Sequence, residues 1–207
     1  MTDKIIEAIK KLKENSKKRK FEQTFDLIIN LKEIDVKKPE NKINEEVRLP
    51  HGLGREVKIV LFSDNIKELD GVDVLNSSDI ERLGKNKRLG KKLIKQTDFF
   101  LAEPKLMPAI GKALGQTLAP KGKMPKIVSA NLKSDIENLK NSTRIRIKDS
   151  PVIQCAVGKE KMEEWKVAEN IMAVIKHLET RLPRGKDNIK EVLLKLTMSK
   201  PIKLELW

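Results

Sequence analysis

The chain has 207 residues, 39% of them apolar and 36% charged, with 44 Lys and Arg against 30 Asp and Glu for a formal charge of +14. A core of ordinary size fits that apolar content, and no apolar run approaches the roughly 20 residues that a membrane span needs. The single cysteine excludes an intrachain disulfide, and two distant histidines leave no zinc-ligand spacing.

The first twenty residues read as an amphipathic helix with Ile5, Ile6, Ile9 and Leu12 on one face, followed by the basic cluster Lys17–Lys20. They lack the apolar centre and small-residue cleavage site of a secretory signal, so a cytoplasmic protein is expected. Phe25, Leu27, Ile29 and Leu31 then alternate with polar neighbours, the period of a half-buried strand. Val47–Leu49 reads as a second strand, broken by Pro50-His51-Gly52-Leu53-Gly54.

From residue 56 the pattern changes to strands alternating with helices, which implies βα units and a mostly parallel sheet. Strands are expected at 57–62, 72–75, 98–102 and 144–148, and helices at 64–70, 78–95, 104–115 and 132–140. A stiff loop is expected to hold Pro120, Lys121, Gly122, Lys123 and Pro125. After Pro151 the earlier style returns. Residues 152–157 form a strand, with Cys155 as a small apolar member. A long helix runs from about 159 to 182, with Met162, Trp165, Ala168, Ile171, Met172, Ile175 and Leu178 as a core stripe. Val192, Leu194, Leu196 and Met198 alternate, as do Ile202, Leu204 and Leu206.

The simplest organisation is a split α+β domain (1–55 plus 152–207) carrying an inserted Rossmann-like α/β domain (56–151), with the two chain crossings as a hinge. Residues 1–55 carry +4, 56–151 carry +7 and 152–207 carry +3, so the excess charge belongs to the folded body and not to a tail. Such a body points to a polyanion, with nucleic acid ahead of anionic membrane.

Enzyme patterns fail. Gly111-Lys112-Ala113 lacks the earlier glycine and the Ser/Thr of a phosphate loop, and Gly52-Leu53-Gly54 precedes a strand instead of following one. No nucleophile with a histidine partner is present, and no catalytic residue, cofactor or metal is expected. Better candidates lie on two wet strand faces. Thr24, Asp26, Ile28 and Asn30 share one, beside Lys20 and Phe21. Lys195, Thr197 and Ser199 share the other. Charge, hydroxyl and amide donors with an apolar edge suit folded RNA read by shape and backbone. Aromatics at 3% argue against stacking of successive bases.

The segments KRKFEQTFDLIINLKEID, LPHGLGREVKIVLF, DFFLAEPKLMPAIGKALGQTLAPKGKMP, VIQCAVGK and LTMSKPIKLEL, in this order, resemble the family of ribosomal protein L-one. The compact form with LAPKGKMP is similar to the archaeal branch. The resemblance implies a two-domain protein of the large ribosomal subunit that binds stalk rRNA through its split domain and helps release exit-site tRNA. It also implies repression of translation of its own mRNA. The expected partners are therefore large-subunit rRNA, exit-site tRNA and its own mRNA, with no membrane and a monomer when free. Carried over, the RNA-binding residues are Lys20, Phe21, Thr24, Asn30, Lys37, Lys38, Thr197, Met198 and Ser199. Ser199 departs from the family's usual glycine, and Asn30 from a lysine common in bacterial relatives; both put a contact in question. The alternative reading is a nucleotide-binding enzyme that uses the inserted domain.

Overall fold

The computed structural model describes residues 2–36, 38, 41–129 and 131–205. Two compact units form: Met1–Arg55 with Asn141–Trp207, and Glu56–Lys140. A split α+β unit carrying an inserted α/β unit is the expected fold class. The second crossing, however, falls at 140/141 and not at 151/152.

The split unit contains α1 (Thr2–Asn15), β1 (Thr24–Leu31), β2 (Asn44–Arg48), β7 (Ser142–Arg146), β8 (Val152–Lys159), α6 (Glu164–Arg181), β9 (Ile189–Leu196) and β10 (Ile202–Leu204). Its main sheet is antiparallel in the order β10-β9-β1-β8. The period-two pattern of β1 buries Phe25, Leu27, Ile29 and Leu31. Register aligns them in rows with β9 and β8: Phe25 opposite Leu196, Leu27 between Leu194 and Cys155, and Ile29 between Val192 and Ile153. Ile5, Ile9 and Leu12 of α1 and Val167, Ala168, Ile171, Val174, Ile175 and Leu178 of α6 complete this core. Lys13 ties the two helices, donating to Glu164 Oε1 at 2.6 Å and to the Met162 carbonyl at 3.0 Å. Burial pushes the Cys155 thiol up to about 12, with the Asp26 carboxylate adding to it, so this cysteine is an inert apolar residue.

Three expectations fail here. Trp165 is 45% exposed, because it sits in the first turn of α6 with the His51 ring edge-on at 4.9 Å and Lys166 Nζ 5.3 Å from its centroid. Met198 is exposed beyond the end of β9, and Leu206 lies outside the described residues. The strand expected at 144–148 pairs as β7 with β2 in the split unit, not within the insertion. Its flanks are fastened as well: Leu49 N–H donates to Asn141 O at 2.7 Å and Ile147 N–H to Ile43 O at 2.9 Å.

Fully buried Asn170 anchors the turn that leads out of this unit. Its Oδ1 accepts His51 N–H at 3.1 Å, and its Nδ2 donates to the carbonyls of Gly52 (2.8 Å) and Val157 (2.9 Å). Gly54 follows at φ +67°, where an added Cβ would be strained and would meet Met162 Sδ at 2.6 Å, so glycine is favoured.

The inserted unit holds β3 (Ile59–Phe62), β4 (Asp73–Leu75), α2 (Ser77–Lys85), α3 (Lys87–Gln96), β5 (Phe99–Ala102), α4 (Met107–Lys121), β6 (Lys126–Ile127) and α5 (Leu132–Lys140). Its sheet is wholly parallel, β4-β3-β5-β6. Every residue of β3 and β5 is buried, as parallel strands covered on both faces must be. Val60, Phe62, Phe100 and Ala102 pack on Ile80, Ile94, Ile110, Leu114 and Leu118 from α2, α3 and α4.

Local chemistry overrides the coarse pattern at four places. No helix forms at 64–70, because Ser63 Oγ accepts the N–H groups of Asn65 and Ile66 and fixes a turn. The helix expected over 78–95 breaks at Asn86, whose N–H closes α2 on Arg82 O while its side chain accepts Leu89 N–H to open α3. Helix α4 runs on through Pro120 and Lys121, where only one late backbone bond is lost, and stops at Gly122 with φ +65°. The two-residue strand β6, at 126–127, was not expected.

Asn170→Ala strips the partners from two carbonyls and one N–H in a buried site, so the split unit should lose about 2–4 kcal/mol of unfolding free energy in urea. A loss below about 0.5 kcal/mol would contradict this role.

Candidate nucleic-acid interface

At one end of the main sheet, β1 begins where β9 ends, although the two segments are 173 residues apart. Thr24 N–H donates to Thr197 Oγ1 at 3.1 Å, and Thr197 N–H returns a bond to Thr24 O at 3.1 Å. Met198 N–H donates to Gln23 Oε1, also at 3.1 Å. Leu196 N–H donates to Ser199 Oγ at 2.9 Å, and Ser199 N–H to Leu196 O at 3.0 Å.

Residues 197–199 are therefore a closed turn between β9 and β10 and do not continue the strand face of Lys195. The strand stops because the Ser199 hydroxyl takes the Leu196 N–H that further pairing would use. Ser199 is not at positive φ, and its side chain stitches the turn. Phe21 and Met198 stand 52% and 58% exposed on the two joined segments, beside the exposed Lys17–Lys20 run.

Six of the nine expected positions, Lys20, Phe21, Thr24, Thr197, Met198 and Ser199, thus lie on segments that these bonds join. Asn30 does not. It lies six residues along β1, about 20 Å away at strand rise, and donates to Glu191 Oε1 at 2.7 Å. Lys38 is exposed beyond β1, its N–H on Asp35 O at 3.3 Å, away from the turn. Lys37 lies outside the described residues.

Sequence reading missed Gln23. Only 1% exposed, it accepts from Met198 through Oε1 and bonds Glu160 through its backbone: N–H to Oε2 at 3.3 Å, and carbonyl to Glu160 N–H at 2.9 Å. Its Nε2 is buried without a partner among the described residues. A signal existed, since position 23 has the inward parity of Phe25 and Leu27, where a polar side chain needs a partner.

On the outer face, Asp26 stands opposite Lys195. Burial pushes its carboxyl above the ordinary value, while Lys195 and Lys159 pull it partly back. A β-bulge at Phe25/Asp26, where β8 skips Val157, sharpens the local twist beside the turn. Among the described residues no His, Cys, Asp and Glu group could hold a metal ion. Gly111 and Lys112 lie inside α4, so they form no phosphate-cradling loop. No described helix is long and apolar enough to cross a membrane.

Residues 12–200 match the model of the ribosomal protein L1p/L10e family. Large ribosomal subunit protein uL1 of Methanobrevibacter smithii is 42% identical over 205 residues, covering 96% of this chain and 97% of its own. That of Pyrococcus horikoshii is 43% identical over 209 residues, covering 98% and 95%. That of Methanocaldococcus jannaschii is 42% identical over 207 residues, covering 97% and 94%.

Gln23→Ala should speed hydrogen exchange of the Met198 amide at least several-fold, whereas Gln23→Glu, which keeps the acceptor, should preserve its protection. Unchanged exchange in the alanine variant would contradict the role given to Gln23. Asp26 binds its proton more tightly folded than unfolded, so its ionisation weakens the fold as pH rises through the raised value. Asp26→Asn should therefore raise the unfolding midpoint at pH 7, and the gain should vanish below about pH 3.8, where the unfolded carboxyl is also protonated. A gain that persists there would contradict this.

Proposed function

This chain belongs to the ribosomal protein L1p/L10e family, and we propose that its task is to bind the stalk region of large-subunit rRNA through the β1–β9 end of the split unit. It is a structural protein of the large ribosomal subunit and not an enzyme. The observation that carries the binding reading is the reciprocal bonding of Thr24 with Thr197, which sets a rigid turn beside two exposed apolar side chains and a lysine run.

A preformed surface loses little conformational freedom on binding, so more of its contact energy appears as affinity. Exposed backbone and hydroxyl groups suit 2′-OH and phosphate contacts, Phe21 and Met198 supply apolar contact, and Lys17–Lys20 supply charge. Recognition is then of a folded junction by shape, and no bond is made or broken. The same surface would take a similar fold in the protein's own mRNA and so repress its translation. On the cytoplasmic ribosome, the stalk so held would assist release of exit-site tRNA. Free of RNA, the protein is a monomer in this reading.

Met198→Asp places a carboxylate on this surface at an exposed position and should abolish tight binding to a stalk rRNA fragment with no change in thermal unfolding. Thr197→Ala should weaken binding strongly, while its lost hydrogen bond lowers stability by only about 1 kcal/mol. Parallel losses of binding and stability would contradict the assignment. Affinity should also fall linearly in log–log form with salt, at roughly 0.7–0.9 per phosphate contacted; a salt-independent affinity would exclude a backbone-led interface.

A further inference from the structure

Helix α3 in the inserted unit, KRLGKKLIKQ, holds five cations and no acid. Lys87, Lys91, Lys95, Arg88 and Lys92 are all exposed, and at 3.6 residues per turn they fall within a sector of about 140°. No ion pair engages any of them among the described residues, whereas Lys13, Arg181 and Arg184 in the split unit each meet a glutamate.

That arrangement works against the helix. Lys87 and Arg88 stand in the first turn, at the positive end of the helix dipole. Lys87–Lys91, Lys91–Lys95 and Arg88–Lys92 are like-charge pairs four residues apart, each destabilising. The other face holds α3 firmly in place. Ile94 is buried, Asn86 caps the N-terminus, and Lys123 donates to the carbonyls of Ile94 (3.0 Å) and Thr97 at the C-terminal end. Gly90 packs so tightly that an added Cβ would lie 3.2 Å from Leu83 O and 3.3 Å from Leu114 Cδ2. The cations are thus displayed on a rigid rod, along about 12 Å from Lys87 to Lys95.

We propose that this face of α3 is a second RNA-contacting surface that grips the sugar–phosphate backbone of an rRNA helix, an inference resting on the ribosomal reading above. A rigid, evenly spaced row of charges gains most from a rigid polyanion. The absence of aromatic side chains from α3 removes base stacking, which leaves backbone contact as its mode. Membrane docking would need a broad exposed apolar face beside the basic sector, and of the apolar side chains on α3 only Leu89 is exposed.

The test compares the full-length protein with its Lys87→Gln/Lys91→Gln/Lys95→Gln variant, titrating a stalk rRNA fragment with flanking helices, and separately a plain RNA duplex, across salt. The expected result is a log–log salt slope reduced by about 2–3, roughly 0.7–0.9 for each of the three lost phosphate contacts, with an unfolding midpoint unchanged or raised. An unchanged slope on both RNAs, while Met198→Asp still abolishes binding of the stalk fragment, would overturn this surface and leave the proposed function standing. A reduced slope on plain duplex alone, without preference for the stalk fragment, would support the surface and overturn the reading beneath it. Displacement of duplex by poly-glutamate at equal charge concentration would overturn RNA as the occupant.

Discussion

The pairing of β1 with β9 is the constraint on which the split unit depends. It joins residues 173 positions apart in the chain, with the whole inserted unit lying between them in sequence. Loop-closure cost grows only slowly with length, so an insertion of this size is tolerated once the sheet supplies enough burial to hold its ends. The inward rows Phe25–Leu196, Leu27–Leu194 and Ile29–Val192 supply it. The bonds among Gln23, Thr24, Thr197 and Met198 then finish the sheet end as a defined surface.

The two units handle charge in different ways. In the split unit, cations are frequently paired: Lys13 with Glu164, Arg181 with Glu45 and Arg184 with Glu33. Exposed pairs of this kind contribute little stability, but they hold long side chains in place and leave the Lys17–Lys20 run as a distinct basic region. In the inserted unit, α3 concentrates cations where neither dipole nor neighbours favour them. A fold shaped by stability alone would place acids there.

Much of the fold was legible because its strands have clean periods. The alternation at 25–31, the apolar runs at 59–62 and 99–102 and the stripe from Ala168 to Leu178 all lie where the sequence places them. Failures arose where one side chain decides the backbone. Ser63 replaces a helix with a turn, Asn86 splits one helix into two, and Pro120 is tolerated because it falls in the last turn. The strand expected at 144–148 forms as β7 at 142–146 and belongs to the split unit, because its pairing with β2 is long-range and leaves no local mark. At the candidate site, Thr197 and Met198 were visible as residues but not as a turn, since the deciding bond runs from Leu196 N–H to the Ser199 hydroxyl. Gln23 carried a parity signal that its polar character obscured.

The most direct measurement is the affinity of the intact protein for a stalk rRNA fragment against an unrelated structured RNA of equal length, at physiological salt. A preformed, shape-reading surface predicts tighter binding of the stalk fragment by roughly a thousandfold or more, the usual gap between specific and non-specific nucleic-acid binding. Equal affinity for the two RNAs would contradict the account, reducing the β1–β9 end to an ordinary sheet terminus on a basic protein.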